Sequence, residues 1–145
     1  MAQADENARR REMNERIIEE YRANDGRVEA FPGVDLLLLH HVGAHSGAPY
    51  VAPLAYLRHG SGYVLMAANA GRPRHPSWYH NLLAHPAVRI EVRASTLDVH
   101  AREAQGAERE ELVELARAES RYYADFEKST TRRIPLLVLE SAHAE

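Results

Sequence analysis

Six short strand-like runs, most of them joined by turns of a few residues, constrain this chain more than any other feature. They are Val34–Val42, Tyr50–Arg58, Tyr63–Ala68, Val88–Arg93, Leu97–Arg102 and Ile134–Leu139. Gly43–Gly47 and His59-Gly60-Ser61-Gly62 are turn sequences, and Ala94-Ser95 links the fourth run to the fifth. Strands joined this closely lie antiparallel, because a parallel return needs a crossover of about a dozen residues or more. Val88, Ile90 and Val92 alternate along one run and Leu97, Val99 and Ala101 along the next, as in a hairpin. Pro53, inside the second run, predicts an edge or a bulge there.

Helical stretches flank and interrupt these runs. Residues 5–24 read as an amphipathic helix with Met13, Ile17, Ile18 and Tyr21 on one stripe, ended by Asn24-Asp25-Gly26. Pro76 suits the first turn of a helix running to about Ala84, which His85-Pro86 stops. Ala107–Glu119 reads as a third helix, with Leu112, Leu115 and Ala116 facing inward. The predicted architecture is mainly β with flanking helices, an α+β chain folded as a small antiparallel β-barrel. One domain covers 1–145: residues 1–30 form the N-terminal helix and linker, and 34–140 form the barrel with its inserted Trp helix and late helix. Such barrels hold ligands at their mouths or in clefts between subunits.

Composition narrows the chemistry. The net charge of −3 offers no general basic surface for nucleic acid. The longest apolar run, Val34–Leu39, contains Asp35 and is far too short to cross a membrane, so no transmembrane segment is expected. The polar, charged N-terminus does not read as a signal peptide, which leaves the cytoplasm as the default location. Cysteine is absent, which removes disulfides, thiolate nucleophiles and Cys-ligated metals. Any electron transfer must therefore use a bound cofactor, because no side chain here carries hydride. Lys128 is the only lysine, so a Schiff base is excluded everywhere else.

Four groups of residues are candidates for a site. His41–Gly47, His-Val-Gly-Ala-His-Ser-Gly, follows the first strand; its free N–H groups and Ser46 could form an anion-binding nest, or simply an ordinary hairpin turn. Arg72 and Arg74 stand in a Gly/Pro loop before a helix start, a setting that favours phosphate or carboxylate but also suits a solvated surface loop. Trp78 and Tyr79 could wall a planar ring, although neighbours on a helix point about 100° apart and only one should face it. Tyr122, Tyr123 and Phe126 could cap a substrate pocket, with a phenol as proton donor, or pack in the core. No metal site is expected: His40 and His41 are adjacent on a strand and point to opposite faces, and no His-Glu-x-x-His pattern occurs.

Taken in order, these pieces resemble the deazaflavin-dependent nitroreductase and quinone reductase family of actinobacteria, from about Val34 to Glu140. The marks are Leu-Leu-Leu-Leu-His-His-Val-Gly-Ala-His-Ser-Gly (36–47), Pro53-Leu54, His75-Pro76-Ser77-Trp78-Tyr79-His80-Asn81-Leu82 and Arg133-Ile134-Pro135. The resemblance implies a split β-barrel related to FMN-binding barrels. It implies the deazaflavin cofactor F420, which carries a phosphate and an acidic oligoglutamate tail, and hydride delivery to quinones, nitroaromatics or activated enones. It places His45, Ser46 and Gly47 with Asn69, Ala70, Gly71 and Arg72 at the anionic end. Pro53 and Trp78 fall near the ring, with Asn81 nearby. Tyr123 corresponds to a substrate-pocket tyrosine and is the catalytic candidate, and Phe126 replaces another such tyrosine. Tyr50, Tyr79, Tyr122 and Phe126 are the substrate-side set. Related barrels often dimerise, which leaves a homodimer open.

The chain departs from the family where basic residues are usual. His45 stands where Arg or Lys is usual in the turn, Tyr50 where Arg is usual, and Asn69 where many members have Lys. Two lost charged hydrogen bonds would weaken cofactor binding by about 3–6 kcal/mol, or about two to four orders of magnitude, unless Arg72 and Arg74 compensate. That weakening motivates an alternative: a cofactor-free barrel that binds a hydrophobic ligand or acts as a natural-product cyclase or isomerase. A third reading is a binding module holding FMN or haem.

Overall fold

Leu36 to Leu39 carry apolar side chains without alternation, and a strand buries both faces only when something covers each of them. In the computed structural model, which describes residues 2–120 and 122–142 and the side chains from residue 8 onward, both covers are present. On β1 (Leu36–Val42), Leu37 and Leu39 enter a core with Leu65, Ile90, Leu137 and Leu139. Leu36 and Leu38 pack on Tyr21 and Val28, beneath α1 (Ala2–Ala23) and the segment after it. Five further strands complete the sheet: β2 (Pro49–His59), β3 (Gly62–Met66), β4 (Ala87–Val92), β5 (Ser95–Glu103) and β6 (Leu136–Ser141). They close into an antiparallel barrel in the order β1-β2-β3-β6-β5-β4, the class of fold predicted from the turns.

β6 repeats the double burial of β1. Leu137 and Leu139 face the barrel core, while Leu136 and Val138 meet Leu112, Ala116 and Tyr123. Those three come from α3 (Gly106–Glu119) and α4 (Tyr123–Ser129). The remaining helix, α2 (Ser77–Ala84), sends Trp78, Tyr79 and Leu82 into the barrel core. No helix among the described residues is long and apolar enough to cross a membrane.

β2 changes partner along its length. Residues 49–55 pair with β1, and residues 56–59 pair with β3. Pro53 lies opposite Leu38 in the half that has β1 as its one partner, so the predicted edge is what the strand provides.

Three differences from the sequence reading have local causes. α4 was not predicted, because its seven residues, Tyr-Ala-Asp-Phe-Glu-Lys-Ser, are too few to show a helical period. Met13, placed on the buried stripe of the first helix, is 59% exposed; the stripe meets the barrel only toward its C-terminal end, at Ile17, Ile18 and Tyr21. Pro76 lies just outside α2 as its N-cap, with extended backbone, rather than in the first turn.

The C-terminal end of α1 is fixed to the barrel by polar contacts. The Tyr21 hydroxyl donates to the Leu36 carbonyl at 2.9 Å and accepts from the Arg93 N–H at 2.7 Å. The Glu91 carboxylate accepts from Arg22 through two nitrogens at 3.1 and 2.6 Å and meets His40 Nε2 at 2.6 Å. Arg22 first, and then His40, hold Glu91 at about 2, well below its ordinary 4.5, against the opposing effect of burial. A carboxyl lowered on folding stabilises the fold above its unfolded pKa and loses that contribution as pH falls through the folded value. Acid titration of unfolding is therefore expected to show stability falling between about pH 4.5 and pH 2. Glu91→Gln should flatten that part of the profile, and a variant with the wild-type slope would remove Glu91 as its source.

Candidate functional site

The unpaired side of β2, the end of β3 and the start of α2 border an open cleft of about 1060 Å³. Its walls include Pro53, Met66, Asn69, Ala70, Trp78 and the aromatic group Tyr122, Tyr123 and Phe126. A second cleft of about 1190 Å³ runs along β1, the turn after it and α1, and includes His45, Ser46, Tyr50 and Asn81. Arg10, Asn14, His41, Ala52 and Ser77 border both, so the two are neighbours across that shared wall.

Charge is distributed unevenly between them. Arg10, Arg72 and Arg74 line the first cleft, and no Asp or Glu does. The second mixes Arg10, Arg11 and Arg22 with Glu15 and Glu19. The Arg72 and Arg74 guanidinium groups make no hydrogen bond or ion pair with any described residue.

The loop that carries Arg72 has an unusual backbone. Asn69, Ala70 and Gly71 form a single 3-10 turn, and all three have positive φ, at 49°, 56° and 78°. For Asn and Ala this conformation is strained and persists only where the surroundings enforce it. One residue supplies most of the enforcement. Arg132 donates to the Ala68 carbonyl at 2.7 Å, to the Arg72 carbonyl at 2.9 Å and to His75 Nδ1 at 2.9 Å, so it clamps both ends of the turn. Burial and the Arg132 charge hold the His75 pKa below its ordinary range, which keeps Nδ1 an acceptor. Asn69 spends its amide on the Arg74 carbonyl at 3.0 Å. A Cβ on Gly71 would lie 2.8 Å from Ser129 Cβ, so α4 presses directly against this turn.

The turn after β1 is held by its own set of bonds. The Gly43 N–H donates to Ala48, Gly47 N–H to Gly43, and Ala48 N–H to the Ser46 hydroxyl. The Ala44 N–H donates to Asn81 Oδ1 at 2.8 Å, which ties the turn to α2. The N–H groups of His45 and Ser46 are left without a partner among the described residues. Asn81 Nδ2 meets His41 Nδ1 at 2.9 Å, so both ends of that buried amide are used within the protein.

Burial defines the aromatic groups. Tyr123 is 1% exposed, and its hydroxyl is the buried side-chain atom without a hydrogen-bond partner among the described residues. Desolvation raises its pKa, so the phenol stays protonated at neutral pH. Tyr122 and Phe126 stack with ring centroids 6.0 Å apart.

The predicted site residues fall into three places. Pro53, Asn69, Ala70, Arg72, Trp78, Tyr122, Tyr123 and Phe126 meet at the first cleft. His45, Ser46, Tyr50 and Asn81 meet at the second, which separates Tyr50 from the other substrate-side candidates. Gly47 (φ +71°) and Gly71 line neither and shape their turns. Tyr79 is not brought to either cleft. It is buried in the barrel core with Trp78, and its hydroxyl donates to Glu103 at 2.6 Å; of the two, only Trp78 also borders the first cleft. Arg132 was missed as a site-shaping residue. Arg132 acts on residues about 60 positions away, and no local pattern reports such a clamp.

Three comparisons complete the description. Residues 12–141 match the family described as F420H(2)-dependent quinone reductase. An F420H(2)-dependent quinone reductase of Mycobacterium tuberculosis is 36% identical over 126 residues, which are 82% of this chain and 83% of that protein. The solved structure of an F420-H2 dependent reductase superposes with a TM-score of 0.66 at 36% identity, over 73% of this chain and 94% of that one. Another, described as a domain-swapped dimer, gives 0.67 at 34% identity, over 90% of this chain and 96% of that one.

The clamp makes a direct prediction. Arg132→Ala should cost about 1–3 kcal/mol of stability, the usual scale for charged hydrogen bonds. Hydrogen exchange should quicken at the Gly71 and Arg72 amides while the barrel strands keep their protection. Unchanged exchange at those two amides would show that the turn holds its shape without Arg132.

Proposed function

We propose a function from one plain premise: the chain belongs to the F420H(2)-dependent quinone reductase family. It is an oxidoreductase whose cofactor is F420 and whose substrates are quinone-like. When bound, the reduced cofactor supplies the hydride that no side chain of this protein can carry. The observation that supports a place for it is the first cleft, which is lined by three arginines and no carboxylate in a chain of net charge −3.

The residues fit an anionic, flat, elongated group. Arg72 and Arg74 have free guanidinium groups for a phosphate or the acidic tail. The N–H groups of His45 and Ser46 add uncharged donors at the second cleft, where the family's usual basic residues are missing. Pro53 and Trp78 give the first cleft an apolar wall for a ring. Tyr123 orients the acceptor substrate, which is a planar electron-poor ring such as a quinone, nitroarene or activated enone. Its phenol is protonated and has no partner among the described residues, and because the hydroxyl is enclosed, it donates to oxygen that gains negative charge only after the aromatic group shifts toward the substrate. Tyr122 and Phe126 form the aromatic flank beside it. The dimeric relative supports a homodimer for this chain as well.

Two measurements test this reading. Fluorescence titration of the protein with F420, and in parallel with FMN, should give saturable binding selective for F420. Arg72→Ala should weaken it about 10- to 100-fold, the equivalent of one charged hydrogen bond. No F420 binding at high micromolar concentration would overturn the assignment and leave a cofactor-free barrel. For the chemistry, Tyr123→Phe should lower kcat for a quinone by about 100-fold while leaving F420 affinity unchanged. An unchanged kcat would remove Tyr123 from the reaction.

A further inference from the structure

His41 stands on the wall shared by the two clefts, and its protonation state is fixed by its neighbours. The Ala44 N–H can only donate, so the Asn81 atom 2.8 Å away must be the carbonyl oxygen. That settles which way the Asn81 amide points, independently of the histidine. Its NH₂ group then faces His41 Nδ1 at 2.9 Å. An NH₂ group can only donate, so Nδ1 carries no proton. In a neutral ring the proton must sit on Nε2.

Charging the ring is disfavoured twice. A proton on Nδ1 would set two donors against each other across that contact. Burial, followed by the neighbouring His40, also pulls the His41 pKa down to about 4. The other charged or titratable groups along the same clefts are Arg10, Arg11, Glu15, Glu19, Arg22, His45 and Tyr50 in the second, and Arg10, Arg72, Arg74, His75, Tyr122 and Tyr123 in the first. The ring is held from its side by Tyr50, stacked at 5.5 Å between centroids with 25° between planes.

Nε2 is left as a donor with no partner. His41 is only 7% exposed, and no described residue accepts from it. Nε2 itself is not enclosed, because Tyr123 has the enclosed unpartnered side-chain atom among the described residues, so this donor opens to the cleft, where water or a ligand can accept from it. It belongs to a ring on the wall shared by both clefts, within reach of a ligand that occupies the two together.

We propose that His41 is a specificity-determining residue that donates its Nε2–H to an acceptor atom of bound F420 where the two clefts meet. The inference rests on the cofactor assignment above. It adds an uncharged contact to a chain that lacks the basic residues usual at His45 and Tyr50. Because the donor is neutral, its contribution should not vary between pH 5 and pH 8.

Nitrogen-15 NMR of the histidine rings, with and without saturating F420, tests it directly. The expected result is a neutral His41 protonated on Nε2 throughout that pH range, with an Nε2–H signal that moves when F420 binds. In fluorescence titrations, His41→Phe keeps a ring against Tyr50 but has no donor, and should weaken F420 about 10-fold. His41→Gln keeps an acceptor for Asn81 and a donor for the ligand, and should recover most of that loss. Wild-type protein that binds F420 with no movement of the His41 signal, or His41→Phe that binds as wild type does, overturns this inference alone. Wild-type protein that does not bind F420 overturns the functional assignment and this inference with it. Should His41→Phe fail to fold, the NMR measurement on wild-type protein decides the matter.

Discussion

β2 cannot keep both of its neighbours along its whole length, and the rest of the molecule is arranged around that constraint. It lies against β1 from Pro49 to Ala55 and against β3 from Tyr56 to His59. Beyond that handover the two strands diverge, and their facing edges leave room for a cleft. Closure elsewhere keeps the strand edges paired, which a six-stranded barrel needs if it is not to offer open edges to other chains. The opening is bordered by the one strand segment that contains proline, where a missing N–H is tolerated. After β3 the chain is free of the ladder, and there it makes its three left-handed residues.

The barrel was legible in the sequence because its determinants are local. Short turns dictate antiparallel pairing, and uninterrupted apolar runs in β1 and β6 announce burial on both faces. The candidate site was legible in part. Loop and helix residues from Asn69 to Trp78 share a cleft with Tyr123, as their chemistry suggested. Tyr79 shows the limit: two aromatic residues are adjacent in the sequence, both are buried, and only packing decides which one also borders the cleft. Arg132 shows a different limit. It is one of many arginines in this chain, and its hydrogen bonds to carbonyl groups at Ala68 and Arg72 depend wholly on the tertiary fold.

Strain and charge meet at the same loop. A sequence of left-handed residues costs about 1–3 kcal/mol for each that is not glycine, and the fold recovers that cost through a guanidinium that caps carbonyls at both ends. The same clamp leaves Arg72 and Arg74 pointing their charge at a cleft without carboxylates. Arg132 spends three of its five N–H donors on the backbone and His75, and it lines neither cleft. The division of labour follows from placement: one arginine shapes the loop from behind, and the two that follow the turn face the cleft.

A parallel division operates on the other side of the shared wall. Asn81 spends its oxygen on the Ala44 N–H and its nitrogen on His41, so it holds the turn and the ring together. Its effect passes outward as two sets of donors, the N–H groups of the turn and the Nε2–H of His41. All of these are uncharged. A charged site recognises an anion at long range and weakens with salt, whereas uncharged donors in a partly buried wall act only at contact and depend on shape. In this turn the donors are therefore set by backbone geometry rather than by charge. The free cations, Arg72 and Arg74, thus stand at the first cleft, and the neutral donors stand on the wall that it shares with the second and on the turn beyond.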